Sequence, residues 1–385
     1  MSRQKSPCWP RISLTIKRPM QQRPRILLLI PHLGGGGAER VIALLACGLS
    51  REKYEIHLGL VTQSQTLVET LPEWVTVHPL GASRVRYGVL PILRLVRRLR
   101  PSAILSGIAH LNFLVLLLRP FFPRGTRVLV RQNGTVSSAL AFGGLPWYTR
   151  TLYRLLYRHA DCVICQSQAM ASDLAAELSL DSERITVLPN PLDIDRIKAA
   201  SDAPSLWTGP GPHLLAVGRL SREKGFDLLL LALAYVRRHL PKADLVVAGA
   251  GPEEAALRTQ CCGLGMNDAV RFVGYIERPY LYYPGADVFV LSSRHEGMPN
   301  ALLEALAGGL PIVALPASGG IQELLRWEQG AWVAPSISAE ALAYQLCAAL
   351  KGLRASQRFQ RPFCSPATAV DPPHTCRLPE TVEKN

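Results

Sequence analysis

Acidic side chains are scarce in this 385-residue chain, with 29 Asp and Glu against 43 Lys and Arg and a formal net charge of +14. Charged residues of both signs make up only 19% and hydrophobic ones 48%, which excludes wholesale disorder. The 30 glycines and 30 prolines follow no triplet period, so a collagen-like chain is excluded too. No disulfide framework is legible: the nine cysteines are odd in number and scattered. Cys162 and Cys165 form a CxxC, but no second CxxC or His pair follows, and the surrounding Ala-Asp-Cys-Val-Ile-Cys-Gln-Ser reads as a strand with two structural thiols. The first 25 residues lack the apolar stretch of about 7–15 residues that a secretory signal needs, and the chain reads as cytoplasmic. Only one uncharged run is long, residues 101–118, at the lower edge of a membrane span. Pro101, Gly107, His110 and Asn112 break it into a buried strand, a polar turn and a core helix, so no transmembrane segment is expected.

The positive charge is local. Residues 1–25 hold seven basic side chains and no acidic one, which predicts a disordered basic arm over 1–23; Met20 offers an alternative start. Residues 84–100 contain six arginines and no acid, and 147–158 interleave Arg150, Arg154 and Arg158 with Trp, Tyr and Leu. Both clusters suit either an anionic membrane surface or an ordinary core-facing helix with a solvated basic side.

At about 100–200 residues per domain the length predicts two domains. Arg25–Ile30 is a continuous apolar run of the kind that fills a parallel sheet covered on both faces. Strand patterns recur at 54–61, 75–79, 103–108, 127–131 and 161–166, with helical patterns between most of them. A second series starts at residue 213 and continues through strands at 244–249, 270–274, 288–292, 312–314 and 331–334. The expectation is an α/β protein of two Rossmann-like, doubly wound domains facing a cleft, 24–190 and 213–350. A Pro-, Asp-, Ser- and Gly-rich linker at 191–212 joins them, and the proline-studded 351–385 reads as an unstructured tail.

Three constellations can carry chemistry. Gly34 to Gly37, ahead of Ala38-Glu39-Arg40, lie between a strand and a helix, where backbone N–H groups of Gly36 and Gly37 can approach an anion. Gly218-Arg219-Leu-Ser-Arg-Glu-Lys224-Gly225 sits beyond the carboxyl end of another strand, the place where open α/β sheets bind ligands. Arg219 can fork onto a phosphate while Lys224 supplies a point charge. Glu296 and Glu304 stand eight positions apart, with Gly297, Met298, Pro299, Asn300 and Ala301 leading into an apolar helix. Carboxylates are good acceptors for sugar hydroxyls, and free N–H groups at a helix start can take a diphosphate. Each motif alone also fits a plain turn or a surface acid pair.

Together, and in this order, they resemble the GT-B glycosyltransferases of family 4, a retaining group that uses nucleotide sugars. The resemblance spans roughly residues 24–350 and includes Gly249-Ala-Gly-Pro252, Phe272-Val-Gly274 and Leu188-Pro-Asn-Pro191. It implies that Arg219 and Lys224 neutralise the donor diphosphate, that Glu296 contacts the donor sugar, and that Glu304 binds the ribose. Gly274, Tyr275 and Ile276 would line the base pocket, and Gly36 and Gly37 would approach the phosphates from the other domain. A histidine near the end of a first-domain strand, here His110, would meet the sugar or acceptor, though a core or turn role is the alternative. Arg131-Gln132-Asn133 would line the acceptor side. No metal and no separate cofactor are implied, the donor being a nucleoside-diphosphate sugar, with a UDP-sugar favoured. The acceptor would be a glycan or lipid-linked glycan of cell-surface polysaccharide or lipopolysaccharide synthesis, reached from the cytoplasm or the inner face of the membrane. Relatives continue with a further helix that packs back on the first domain, a pattern missing from 351–385.

Three other readings stay open: an epimerase of the same architecture, a carbohydrate-binding protein without catalysis, and a nucleic-acid binder. No helix-turn-helix, zinc-finger, RRM or KH signature supports nucleic acid, and none is expected as a partner.

Overall fold

A computed structural model describes residues 23–62, 71–142, 148–201, 204–326 and 328–355. The basic arm before residue 23 and nearly all of the expected tail lie outside the described residues. Contacts divide the chain into two compact units that meet in sequence between Pro191 and Leu192.

The first unit runs β1 (Arg25–Ile30), α1 (Gly37–Gly48), β2 (Glu55–Leu60), β3 (Val75–Pro79), α2 (Val89–Leu99), β4 (Ala103–Ser106) and α3 (Ala109–Leu118). It continues with β5 (Arg127–Arg131), α4 (Val136–Phe142), α5 (Thr149–Tyr157), β6 (Cys162–Cys165), α6 (Gln168–Leu178) and β7 (Ile185–Val187). All seven strands are parallel, in the order β3-β2-β1-β4-β5-β6-β7.

The uninterrupted apolar run of β1 is explained by its two covered faces. Leu27 and Leu29 pack with Ile92 and Val96 of α2 and Leu111 and Val115 of α3. Ile26, Leu28 and Ile30 point the other way, onto Val41, Ile42 and Leu45 of α1. The uncharged stretch 101–118 is β4, a short turn and α3, as its breakers imply. Among the described residues no helix is long and apolar enough to cross a membrane. Cys162 and Cys165 occupy β6 as free thiols, and burial pushes Cys165 up to about 12, so it stays protonated and unreactive.

The second unit comprises α7 (Ile194–Ser201), β8 (His213–Val217), α8 (Phe226–His239), β9 (Asp244–Ala248), α9 (Glu254–Gly263), β10 (Val270–Gly274) and β11 (Val288–Leu291). After these come α10 (Asn300–Ala307), β12 (Ile312–Ala314), α11 (Ile321–Leu325), β13 (Ala331–Val333) and α12 (Ala339–Ala355). Its six strands are also parallel, ordered β10-β9-β8-β11-β12-β13. Leu214 and Ala216 of β8 face the core under α8, α9 and α12, while Leu215 and Val217 face the core under α10.

Two stretches differ from the sequence expectation. Residues 194–201 fall in the expected linker yet form α7, whose Ile197 and Ala200 are buried with Tyr280, Tyr283 and Leu302 of the second unit. An apolar stripe of two residues, flanked by turn formers, is too short to show as periodicity. Helix α12 also runs on to Ala355, five residues into the expected tail, anchored upstream by Leu342, Leu346 and Leu350.

In each sheet the strand order reverses once, between β1 and β4 and between β8 and β11. Loops leaving neighbouring strands there diverge to opposite faces, opening a crevice at the carboxyl ends of the strands. The motifs at 34–37, 218–225 and 292–301 are the loops that leave β1, β8 and β11.

Candidate active site

In the second unit the loop after β8 and the loop after β11 bring Lys224 and Glu296 together. Lys224 Nζ donates to Glu296 Oε1 at 2.5 Å, and Ser293 Oγ donates to the same oxygen at 2.6 Å. The Glu296 side chain is 9% exposed and that of Lys224 25%, so the pair is largely shielded from water. Arg219, in the same β8 loop, stays exposed. The β8 loop thus carries one exposed cation and one lysine paired with a largely buried carboxylate.

Several further contacts hold these loops. Arg294 forks onto Asp227, Nη1 to Oδ1 at 2.7 Å and Nη2 to Oδ2 at 2.6 Å, and Nη1 also donates to the Arg222 carbonyl. Burial alone would raise the Asp227 carboxyl, but the hydrogen bonds and charge of Arg294 outweigh it and hold it below its ordinary value. Ser292 Oγ donates to the Lys224 carbonyl at 2.9 Å, fixing the backbone that carries the lysine. Gly225 takes φ +62°, and a Cβ there would stand 2.1 Å from the Ser292 carbonyl oxygen. Gly319, at φ +98°, lies as tightly against the Glu296 carbonyl, and the Gly320 N–H donates to the Gly297 carbonyl at 2.8 Å.

The remaining second-unit candidates lie on the loops that leave β10 and β11 and on α10. Gly297, Met298 and Pro299 are buried, and Pro299 is the N-cap of α10, offering no side-chain cap. Asn300 and Ala301 open that helix. Glu304, 6% exposed, lies farther along it and receives the Tyr283 hydroxyl at 3.4 Å. Gly274 ends β10 at φ +73°, followed by exposed Tyr275 and half-buried Ile276. Its carbonyl accepts from the Gly249 N–H at 2.7 Å, while Gly218 and Leu220 donate to the carbonyls of Ala248 and Ala250. The base-pocket and diphosphate candidates therefore share one backbone frame.

Ser293, Arg294, Asp227 and Tyr283 were not singled out from the sequence. The run Ser292-Ser293-Arg294 just before Glu296 carried a signal. Asp227 and Tyr283 carried none, because their partners are 67 and 21 positions away.

In the first unit His110 opens α3 after β4, exposed. Burial and the charge of nearby His32 lower its pKa, so it is neutral at pH 7. In the β1 loop the Gly34 N–H points at Nδ1 of His32 at 3.2 Å. Gly36 is the N-cap of α1 and Gly37 its first residue. The place beside the Gly36 Cα is taken by the Glu39 carboxylate, since a Cβ there would lie 2.2 Å from Oε2. Sequence reasoning did not single out His32, and it gave Glu39 no role.

Buried Arg131 and Gln132, and exposed Asn133 after them, stand in a polar network at the end of β5. Asn112 Nδ2 donates to the Arg131 carbonyl and to the Tyr157 hydroxyl, which donates to Gln132 Oε1 at 2.8 Å. Asn133 Nδ2 donates to the Gly107 carbonyl and Gln166 Nε2 to the Gln132 carbonyl. Arg131 is 1% exposed; it donates to Asn190 Oδ1, while Nε and Nη1 have no partner among the described residues. Burial draws its pKa down to about 10, leaving it cationic at neutral pH.

Two family models match, with different halves of the chain: Glycosyltransferase Family 4 over residues 35–196 and Glycosyl transferases group 1 over residues 198–361. A Campylobacter jejuni N-acetylgalactosamine-N,N'-diacetylbacillosaminyl-diphospho-undecaprenol 4-alpha-N-acetylgalactosaminyltransferase is 29% identical over 77% of this chain and 82% of its own. The lipopolysaccharide core biosynthesis glycosyltransferase LpsE of Rhizobium meliloti is 30% identical over 53% of this chain, just over half (56%) of its own length. Among solved structures, Anabaena Alr3699/HepE in complex with UDP-glucose superposes with a TM-score of 0.70 at 20% identity, covering 90% of this chain and 94% of that one. The apo form of the lipopolysaccharide outer core galactosyltransferase WaaB gives 0.63 at 16% identity, over 85% and 90% of the two chains. With both halves matched in order and two parallel sheets of the GT-B type, the chain belongs to the family 4 glycosyltransferases.

Proposed function

We propose that this glycosyltransferase is a retaining, metal-independent enzyme. It moves a hexose or N-acetylhexosamine from a nucleoside-diphosphate sugar to a glycan or lipid-linked glycan in cell-surface polysaccharide synthesis. The observation that carries the proposal is the Lys224–Glu296 pair at the strand-order reversal of the second sheet, with Arg219 exposed on the same loop. The names of the Campylobacter and Rhizobium relatives support a lipid-linked or lipopolysaccharide acceptor, and the UDP-glucose complex of HepE supports a UDP-sugar donor.

In this proposal Arg219 and Lys224 neutralise the donor diphosphate and stabilise it as it leaves. Glu296, paired with Lys224, accepts from donor-sugar hydroxyls, and Glu304 accepts from the ribose. Gly274, Tyr275 and Ile276 surround the base, and residues 297–301 lead the α10 N-terminus towards the phosphates. The departing phosphate takes the acceptor's proton, so no second catalytic carboxylate is needed and the anomeric configuration is retained. His110, neutral and exposed, offers one donor and one acceptor to the sugar or acceptor. Gly36 and Gly37 supply backbone N–H groups, with Glu39 as their local counterweight.

The test is nucleoside-diphosphate release from UDP-sugars and GDP-sugars with lipid-linked and soluble acceptors, with and without EDTA. Acceptor-dependent release that EDTA leaves unchanged is expected, with an α-linked product from an α-linked donor. Donor isomerisation without acceptor would show an epimerase instead, and inversion in the product would remove the retaining mechanism.

A further inference from the structure

The two arginine clusters of the first unit have different fates in the fold. In α5, Arg150 pairs with Glu177 at 3.2 Å, Arg154 donates to the Glu177 carbonyl, and the Arg158 carbonyl is held by Arg184. That helix is tied to its own neighbours, with Tyr153 and Tyr157 in the core, as an ordinary amphipathic helix would be.

The other cluster leaves arginines unspent. At the carboxyl end of α2, Arg97 and Arg100 border a cavity of about 490 Å³, closed on its other side by Phe121, Phe122, Arg124 and Thr126. All three arginines are exposed, and none of their guanidinium groups has an ion pair or side-chain hydrogen bond among the described residues. The nearby acceptor Leu99 carbonyl is already taken by Arg25. Thr126 Oγ1 is used too, donating to the Pro101 carbonyl at 2.9 Å. Among the described residues no carboxylate lines the cavity.

Three guanidinium groups around one concavity repel each other, and the α2 carboxyl-terminal dipole offsets only part of that. Such a cluster is suited to an anion. Arg recognises phosphate through its planar fork, and Phe121 and Phe122 give the cavity an apolar wall suited to the carbon part of an ester. Phe121 is 57% exposed, which places an apolar side chain at the rim.

The cavity is remote from the chemistry within this unit. Arg100 precedes β4 and Thr126 precedes β5, so it lies at the amino ends of strands whose carboxyl ends carry His110 and Arg131. We propose that Arg97, Arg100 and Arg124 form a binding site for a phosphate ester, separate from the donor site, supplied either by a phospholipid headgroup at a bilayer surface or by a soluble phosphate compound.

The test compares the full chain with R97A/R100A/R124A and with R84A/R86A/R94A, which removes the same charge from the same region outside the cavity. One arm is pelleting with vesicles of phosphatidylcholine and phosphatidylglycerol; the other is calorimetric titration with inorganic pyrophosphate in the presence of saturating UDP, which occupies the proposed donor-diphosphate site. In at least one arm the cavity variant should bind about tenfold more weakly while the control keeps wild-type affinity. Loss in the vesicle arm alone identifies the headgroup, and loss in the pyrophosphate arm identifies a soluble ligand. The proposal is overturned if wild type binds neither probe, or if the control loses as much as the cavity variant, which would reduce the effect to net charge. An unchanged melting temperature in both variants excludes misfolding, and unchanged nucleoside-diphosphate release with a soluble acceptor keeps this outcome apart from that of the donor-site proposal.

Discussion

Lys224 and Glu296 lie 72 positions apart and meet at 2.5 Å, with Ser293 on the same carboxylate oxygen. The lysine comes from the loop after β8 and the glutamate from the loop after β11, and these two strands are neighbours at the reversal of strand order.

The pair should matter to turnover more than to folding. Glu296→Gln and Lys224→Met are each expected to lower kcat by at least about 100-fold. Lys224→Met leaves a shielded carboxylate with Ser293 as its hydrogen-bond donor, and should destabilise by about 2 kcal/mol. The double variant K224M/E296Q should recover part of that stability and none of the activity. Urea titrations and product release on the four proteins check both; wild-type turnover in either single variant removes the assignment.

Gly319→Ala should damage the site from behind. At φ +98° a Cβ meets the Glu296 carbonyl oxygen at 2.2 Å, so the 295–297 backbone has to move. A loss of about 2 kcal/mol and a weaker affinity for UDP are expected, read by thermal melts and calorimetry. Wild-type UDP affinity would show that Gly319 does not hold Glu296 in place.

Arg294 is predicted to be a positioning residue. Arg294→Lys cannot reproduce the two-point grip on Asp227, and should raise the KM for donor several-fold with a smaller change in kcat. Because the Asp227 side chain is 43% exposed, the stability loss should be modest, about 1 kcal/mol or less. An unchanged KM with a large fall in kcat would contradict this role.

Stability should decline on mild acidification through a histidine pair in the first sheet. His57 Nδ1 and His78 Nε2 are 3.0 Å apart, and His57 Nε2 meets Glu55 at 3.1 Å. Burial lowers the pKa of both histidines below 6.5, and the neighbouring Arg98 adds to it. The unfolded chain therefore binds more protons below about pH 6.5, so stability is full above that value and is lost as pH falls towards the folded pKa values. Arg25 and Glu55 face the same group, and the Glu55 carboxyl, lowered by Arg25 and His57 against its burial, extends the loss further into acid. Urea midpoints at pH 7.5 and 5.5 should differ less in His78→Gln than in wild type; an equal difference would assign the acid sensitivity elsewhere.

Arg131 should show a conflict between folding and function. It is a buried cation without a carboxylate partner, so Arg131→Met should keep or raise the melting temperature while lowering transfer to the acceptor. A strong loss of stability would mean that its bond to Asn190 outweighs its desolvation.

By itself the sequence determined the two parallel sheets, because continuous apolar runs such as Arg25–Ile30 and His213–Val217 fit only strands covered on both faces. It also placed the three candidate motifs at strand-to-loop junctions, where glycines and charges follow such runs. Tertiary structure alone decided which of those residues meet. Lys224 finds Glu296, Arg294 finds Asp227, Tyr283 finds Glu304 and the Arg131 carbonyl finds Asn112, all through partners too distant in sequence for any periodicity to link. It also divided the arginines. Those of α5 are tied to neighbouring loops and helices, whereas Arg97, Arg100 and Arg124 border a cavity with no carboxylate among its described lining residues, a difference set by packing that no charge count contains.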